Sequence, residues 1–554
     1  MTLSTETFAL IDARALRAQL NDGREIALID VREAGQFGEG HPFFAIPLPY
    51  SRLELDAPRL LPRRGVRVVV VDDGNEARSD AGSVAARAAA RLRQLGYGDV
   101  SILDGGVRGW VSAGYTLFRG VNVPSKTFGE LVEHAYGTPH ISPEALAEKL
   151  DGGRADALVL LDGRTREEHR KMTIPTAVCC PNGELAAHID ALAPEPDVPV
   201  VVHCAGRTRS IIGAQTLRNL GIANPVFALE NGTQGWALAG LALEHGSTRG
   251  PADAASGKQQ GKRQDDARER ASALAQRFGV RSLDAREARE WIDDAGRTTF
   301  VLDVRTPDEY ARDGLPHAVH APGGQLIQAT DQTVGVRHAR LLLVDYDGVR
   351  APVVAHWLVQ LGFDAATVDA EIAASWLAAR DETGAPVERF APPALEGTAL
   401  RERVSRENPQ RPVVLDLRAS AAYQRSRAAG SHWSVRPIVF DTLRAAGATT
   451  ETPVILLADD AALVALVAAD LHEAGYRDIA RVARGLDGWR DADLPVDTAG
   501  PRLADRERID YLFFVHDRHE GNLDAARAYL AWETGLIAQC EPDELAAFKV
   551  GTPS

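Results

Sequence analysis

The stretch VPVVVHCAGRTRS, Val198 to Ser210, sets an apolar β-branched run against His203 and Cys204, followed by a short loop holding Arg207 and Arg209. The segment IIGAQTLRNLG that follows is helical in composition and stops at Gly221. A short apolar run bounded by turn signals reads as a strand buried on both faces. The stretch therefore reads as strand, loop and helix, with a cysteine at the junction. Gly206 is expected to let the loop turn tightly. Backbone N–H groups at such a turn, with the positive end of a helix dipole, form a nest that favours an oxyanion and a thiolate. A thiol there is expected to fall from ~8.5 towards neutrality or below.

The same plan occurs four times. IALIDVRE places Asp30 and Arg32 at the end of an apolar run, LVLLDGRT places Asp162 and Arg164, TFVLDVRTPDEY Asp303 and Arg305, and PVVLDLRAS Asp416 and Arg418. A second apolar run lies downstream each time: VRVVVVDD, VPVVVHC, ARLLLVDYD and TPVILLADD. A helical stretch ending in Gly follows. The units close on LDGGVRGW at Trp110, LENGTQGW at Trp236, the degenerate VDAEIAASW at Trp376, and ARGLDGW at Trp489. From each Asp to its Trp is 80, 74, 73 and 73 residues. Such regular spacing identifies internal repeats. Apolar strands alternating with helices give β-α-β units and a mostly parallel sheet. The expected fold is four tandem α/β domains, each a small parallel sheet flanked by helices, plus a helical C-terminal tail. The expected boundaries are 1–122, 135–247, a linker at 248–275, 276–388, 394–500 and a tail at 501–554. The Gly-, Ser- and charge-rich segment His245–Asp266 predicts that flexible linker. It divides the chain into copies one and two, then three and four.

Composition narrows the partners. The 554 residues carry a net charge of −15, against nucleic acid or an acidic membrane surface. No basic-then-apolar leader opens the sequence, and no apolar run approaches the ~20 residues of a membrane span. Four cysteines, Cys179, Cys180, Cys204 and Cys540, are too few for a disulfide framework in so long a chain. A reducing, cytoplasmic compartment is the expectation. A homo-oligomer is compatible with the sequence.

D-x-R after a strand, a cysteine loop at a strand end, and a closing G-x-x-G-W resemble the rhodanese family of sulfurtransferases. All four copies, about four-fifths of the chain, carry part of this pattern. The second carries all of it, in Asp162, Arg164, Cys204–Arg209 and Gly232–Trp236. The resemblance implies a Cys204 nucleophile that holds sulfur as a persulfide. Substrate contacts are expected from Arg164, Ala205, Gly206, Arg207, Thr208 and Arg209, with Arg164 near the pocket mouth and Arg207 facing solvent. Asp162, Gly232, Gly235 and Trp236 are expected to be structural. No cofactor or metal is implied beyond the covalent persulfide. The position of Cys204 reads as Asp73 in copy one, Asp345 in copy three, and Asp459 or a neighbour in copy four, so those copies are expected to be catalytically silent. Their Asp-Arg pairs are expected to cap a turn and anchor the next helix.

Cysteine phosphatases use a similar cradle, but resemble His-Cys, five residues, then Arg. Here four residues, AGRT, separate Cys204 from Arg209. The shorter loop favours sulfur transfer. A charged CAGRTR loop suits an anionic donor such as thiosulfate better than mercaptopyruvate. The acceptor is expected to be cyanide, a small thiol or a protein dithiol. A persulfide carrier or sensor without turnover is the alternative. His203 reads as a strand residue on the alternate face. Cys179 and Cys180 read as buried strand thiols, with a resolving role as the sharper alternative. His516, Asp517 and His519 read as a polar loop and not a metal site. A tail that covers the active domain is a further alternative.

Overall fold

The computed structural model describes residues 8–74, 82–151, 158–251, 258–377, 390–405, 407, 410–499, 502–516 and 521–551. Asp517 and His519 lie outside them, as does the side chain of Trp376. Four five-stranded sheets are present, each with the spatial order 1-5-4-2-3 of its own strands. Every pairing within these sheets is parallel. In copy two, Leu160 and Val201 pack on one face and Leu161, Val200 and Val202 on the other. Burial on both faces is why these runs are apolar without alternation.

The D-x-R motif has one meaning in all four copies. Each Asp carboxylate takes the guanidinium of the Arg two residues on through paired bonds, as at Asp30–Arg32, Asp162–Arg164, Asp303–Arg305 and Asp416–Arg418. The same Arg Nη2 donates to a carbonyl eight residues further along: Gly40, Met172, Asp313 and Ser426. The motif pins the end of the following helix to the sheet. The closing tryptophans are equally regular. Trp110, Trp236 and Trp489 are buried, and each Nε1 donates at 2.9 Å to the carbonyl six residues on.

The domains pair differently from the expectation. One compact unit joins copies one and four, and the other joins copies two and three. In the first, buried Arg436 bonds Glu54 at 2.6 and 2.8 Å and Asp470 at 2.8 Å, and Tyr50 donates to Asp470 at 3.0 Å. In the second, Arg350 bonds Glu184 at 2.7 Å. The expected linker is also corrected. Lys258–Arg277 is a helix whose Ala267, Ala271 and Leu274, with Phe278 just beyond, share one core with copies two and three. Arg270 pairs with Asp190 and Arg277 donates to the Asn219 carbonyl. This apolar spacing begins just after the charged, glycine-rich run that suggested flexibility. Residues 123–134, left between the expected domains, belong to a further helix, Val123–Tyr136. Among the described residues, no helix is long and apolar enough to cross a membrane.

Candidate active site

Asp162 lies opposite His203 in the sheet, so Cys204 is the first residue beyond the strand Val200–His203. The loop runs through Arg207 into the helix Thr208–Asn219. The first N–H groups of that helix have no partner along the helix itself and face the loop. Cys204 is 3 % exposed, and Ser210 Oγ donates to its Sγ at 3.2 Å. The G-x-x-G-W segment supports the loop from below. Thr233 N donates to the Cys204 carbonyl at 2.8 Å and Gln234 N to the Ala205 carbonyl at 3.1 Å. Gly232 has φ +53°, and a Cβ there would lie 2.2 Å from the Cys204 oxygen. Only glycine lets the closing helix come this near the loop. Gly206 has a different reason from the tight turn expected. Its Cβ would stand 3.0 Å from Glu533 Oε2 and 3.5 Å from Gln234 Nε2, so it is a matter of room.

The three arginines stand differently from the expectation. Arg164 is buried, bonded to Asp162 and Met172, and holds the fold where a donor contact was expected. Burial opposes ionisation of Asp162, but the facing His203 ring and the bonds from Arg164 and His169 outweigh it and keep the carboxyl well below its usual value. Arg207, expected to face solvent, is bonded to Glu130 at 2.8 and 2.9 Å and also to Glu133. Arg209 is paired with Glu168 at 2.6 and 2.8 Å, with Gln325 of copy three 3.3 Å from its Nη1. Burial opposes ionisation of Glu168, yet Arg209 pulls its carboxyl down to about 2. Every guanidinium around the loop is thus neutralised by a carboxylate. The anion-attracting part of the nest is its backbone, with Arg209 beside it. Thr208 Oγ1, expected to touch substrate, donates instead to Glu533.

His203 is fully buried, and burial lowers it to about 4, so it is neutral near pH 7. Cys179 and Cys180 are buried, and burial pushes Cys179 up to about 12 and Cys180 well above its ordinary value. Both stay protonated, in keeping with packing rather than resolution of a persulfide. Among the described residues, no group of three His, Cys, Asp or Glu is placed to hold a metal ion.

Strand register also corrects the silent position of copy one and selects the neighbour of Asp459 in copy four. Asp30 faces Val71 and Asp416 faces Leu457, so the residues equivalent to Cys204 are Asp72, in place of Asp73, and Ala458, next to Asp459. Asp345 holds, since Asp303 faces Val344. The two aspartates fill their own nests. Asp72 accepts from Gly74 N at 2.9 Å and Ala85 N at 3.0 Å. Asp345 accepts from Gly348 N at 3.0 Å and Ala351 N at 2.6 Å. A side-chain carboxylate occupies amides that would otherwise face an incoming anion.

Sequence reasoning missed Ser210, Glu168, Asn182 (whose Nδ2 donates to the Arg209 carbonyl at 2.8 Å), Gln325, Glu130 and Glu533. Ser210 and Glu168 had local signals: a hydroxyl one turn into the helix, and the T-x-x-E capping box at Thr165. The others reach the loop from distant parts of the chain.

The rhodanese-like domain family model matches residues 12–113, 142–239 and 284–372. Over 98 % of its length the chain is 38 % identical to a thiosulfate sulfurtransferase from Pseudomonas aeruginosa, covering 100 % of that crystal structure with a TM-score of 0.85. It is also 35 % identical over 89 residues to YrkF of Bacillus subtilis (strain 168), named as a candidate sulfur carrier protein. That match takes in 16 % of this chain and 46 % of YrkF, so it spans less than half of that relative. The fourth copy lies outside the family match, yet it has the same strand order, the same Asp-Arg clasp and the same tryptophan bond. With three copies matched in sequence and a fourth in architecture, the chain belongs to the rhodanese-like domain family.

Proposed function

We propose that the protein is a sulfurtransferase that passes sulfur through a Cys204 persulfide, with thiosulfate as donor. The observation that carries this reading is the placement of Cys204. It follows the strand Val200–His203 directly and precedes the helix Thr208–Asn219, with Ser210 Oγ at 3.2 Å from its sulfur. The Cys204 thiolate attacks the outer sulfur of thiosulfate. A sulfur–sulfur bond forms at Cys204, the original one breaks, and sulfite leaves with the electron pair. The hydroxyl of Ser210 and the first-turn amides would hold the anion, with Arg209 at its side. A nucleophilic acceptor then attacks the outer sulfur and releases the Cys204 thiolate. Burial of Cys204 favours a small acceptor, such as cyanide or a low-molecular-mass thiol, over a protein dithiol. The reading is tested by intact-mass measurement after exposure to thiosulfate. It expects a gain of one sulfur atom that cyanide removes. No gain, or a gain that survives cyanide, overturns it. Sulfur uptake without turnover favours the carrier alternative.

The silent copies give a companion prediction. On a Cys204→Ser background, Asp345→Cys is expected to acquire no sulfur from thiosulfate. By register, Ala370 and Glu371 stand where copy two has Asn231 and Gly232, and neither has a positive φ, so the left-handed turn under the loop is missing there. Asp347 also stands close enough to Asp345 that, after burial, it is the chief cause pushing that carboxyl up to about 7. A thiolate at the same place would meet the same repulsion. Labelling as fast as in the wild type would show that copy three is one substitution from activity.

A further inference from the structure

The C-terminal tail is unused by the proposed reaction, yet it reaches the active loop. Its helix Leu523–Thr534 packs on Val123–Tyr136. Near its end, Glu533 is 1 % exposed, and Oε1 accepts from Thr208 Oγ1 at 2.8 Å. Lys126 Nζ faces the same oxygen at 3.3 Å. Lys126 in turn lies 5.0 Å from the ring of Tyr529 and 5.7 Å from that of Trp532. The other carboxylate oxygen stands above Gly206, where a Cβ would come within 3.0 Å. One buried side chain therefore touches the loop on both sides of Arg207.

The geometry points to Glu533 as a positioning residue that holds the Cys204 loop in register with the first turn of its helix. The inference rests on Cys204 being the reactive thiol. The inner edge of the loop is fixed by Thr233 and Gln234 through the carbonyls of Cys204 and Ala205. The outer edge is fixed by Glu533 through Thr208 and by Glu130 through Arg207. A nest stabilises an anion only while its N–H groups converge, and small displacements are costly. Direct electrostatic help is the wrong sign for Glu533, because a carboxylate opposes a nearby thiolate. Lys126 offsets that charge, as Arg207 offsets Glu130 and Glu133, and Arg209 offsets Glu168. What remains for Glu533 is to fix geometry. Copy two is therefore a complete site only with the tail in place.

The sign difference supplies the test. In the full chain, alkylation of Cys204 by iodoacetamide is followed against pH by peptide mass mapping, which needs no sulfur donor. Glu533→Ala and Thr208→Val are each expected to slow alkylation at pH 7 on the order of tenfold to a hundredfold, with the pH midpoint moving up. The double variant should be no slower than the slower single one, because both remove the same contact. Glu533→Gln, which keeps an acceptor for Thr208, should retain most of the rate. Faster alkylation with a lower midpoint in Glu533→Ala would mean that Glu533 acts only as a charge. Wild-type behaviour in Glu533→Ala and Thr208→Val would mean that it does not act on the loop. Either outcome overturns the inference. Should Glu533→Ala fail to fold by circular dichroism, Thr208→Val and Glu533→Gln decide alone. Alkylation as expected with no sulfur uptake by the wild type would keep the positioning role and discard the sulfurtransferase reading; the converse result would do the reverse.

Discussion

Cys204→Ser is expected to reduce thiosulfate:cyanide sulfur transfer to background while leaving the fold intact. The serine hydroxyl is nearly isosteric with the thiol, and Ser210 Oγ at 3.2 Å gives it a partner. The stability change should stay near about 1 kcal/mol. The activity change is complete because an alkoxide is not available at neutral pH and an oxygen cannot carry the persulfide. The other cysteines do not replace it, as burial pushes Cys179 and Cys540 up to about 12 and Cys180 well above its ordinary value. Mass spectra of the variant after thiosulfate should show no cyanide-releasable sulfur, with a cooperative melting curve displaced by no more than a few degrees. Sulfur still taken up and released would place the chemistry elsewhere.

Arg164→Ala is expected to act on stability and not on choice of donor. Its guanidinium is 3 % exposed and lies between Asp162 and the Met172 carbonyl. Removing it leaves a buried carboxylate held by the backbone N–H of residue 164, Thr173 and His169, with its paired countercharge gone. Breaking one side of a buried pair costs about 3–5 kcal/mol. Urea unfolding should read that loss, and anionic and neutral persulfide donors should lose kcat/KM equally. Arg209→Ala should behave in the opposite way, with little loss of stability and a larger loss for the anionic donor, about 1.5–3 kcal/mol. Selective loss of thiosulfate use in Arg164→Ala would return that arginine to the substrate.

The repeats were legible because each motif is closed within its own unit. The Asp-Arg clasp spans two and eight residues, and the tryptophan bond spans six, so linear spacing carries them directly. Cys204 was legible for the same reason, at the end of an apolar run with Gly232 and Trp236 at fixed distance. The partners of the arginines were not. Glu130 stands 77 positions before Arg207, and Gln325 stands 116 after Arg209, on elements whose composition marks them only as helix. Three arginines in a row of motifs suggest a free positive field; only the fold shows four carboxylates already answering them. The exact silent positions in copies one and four also needed the sheet. Asp72 lies within the aspartate pair of VVDDG and Ala458 just before that of LADDA, and nothing in such a run says which residue ends the strand.

The pairing of copy one with copy four has a consequence for biosynthesis. A chain emerges from the ribosome in order, and copies two and three are made and can dock while copy one waits. Glu54 is synthesised 382 residues before Arg436, the partner that buries it. At about 5–20 residues per second, the gap is roughly 20–75 s. Throughout that interval the face of copy one that carries Tyr50 and Glu54 is open to other nascent chains and to chaperones. A message cut short anywhere before codon 436 therefore leaves an amino-terminal domain without its mate, even when copies two and three have been translated.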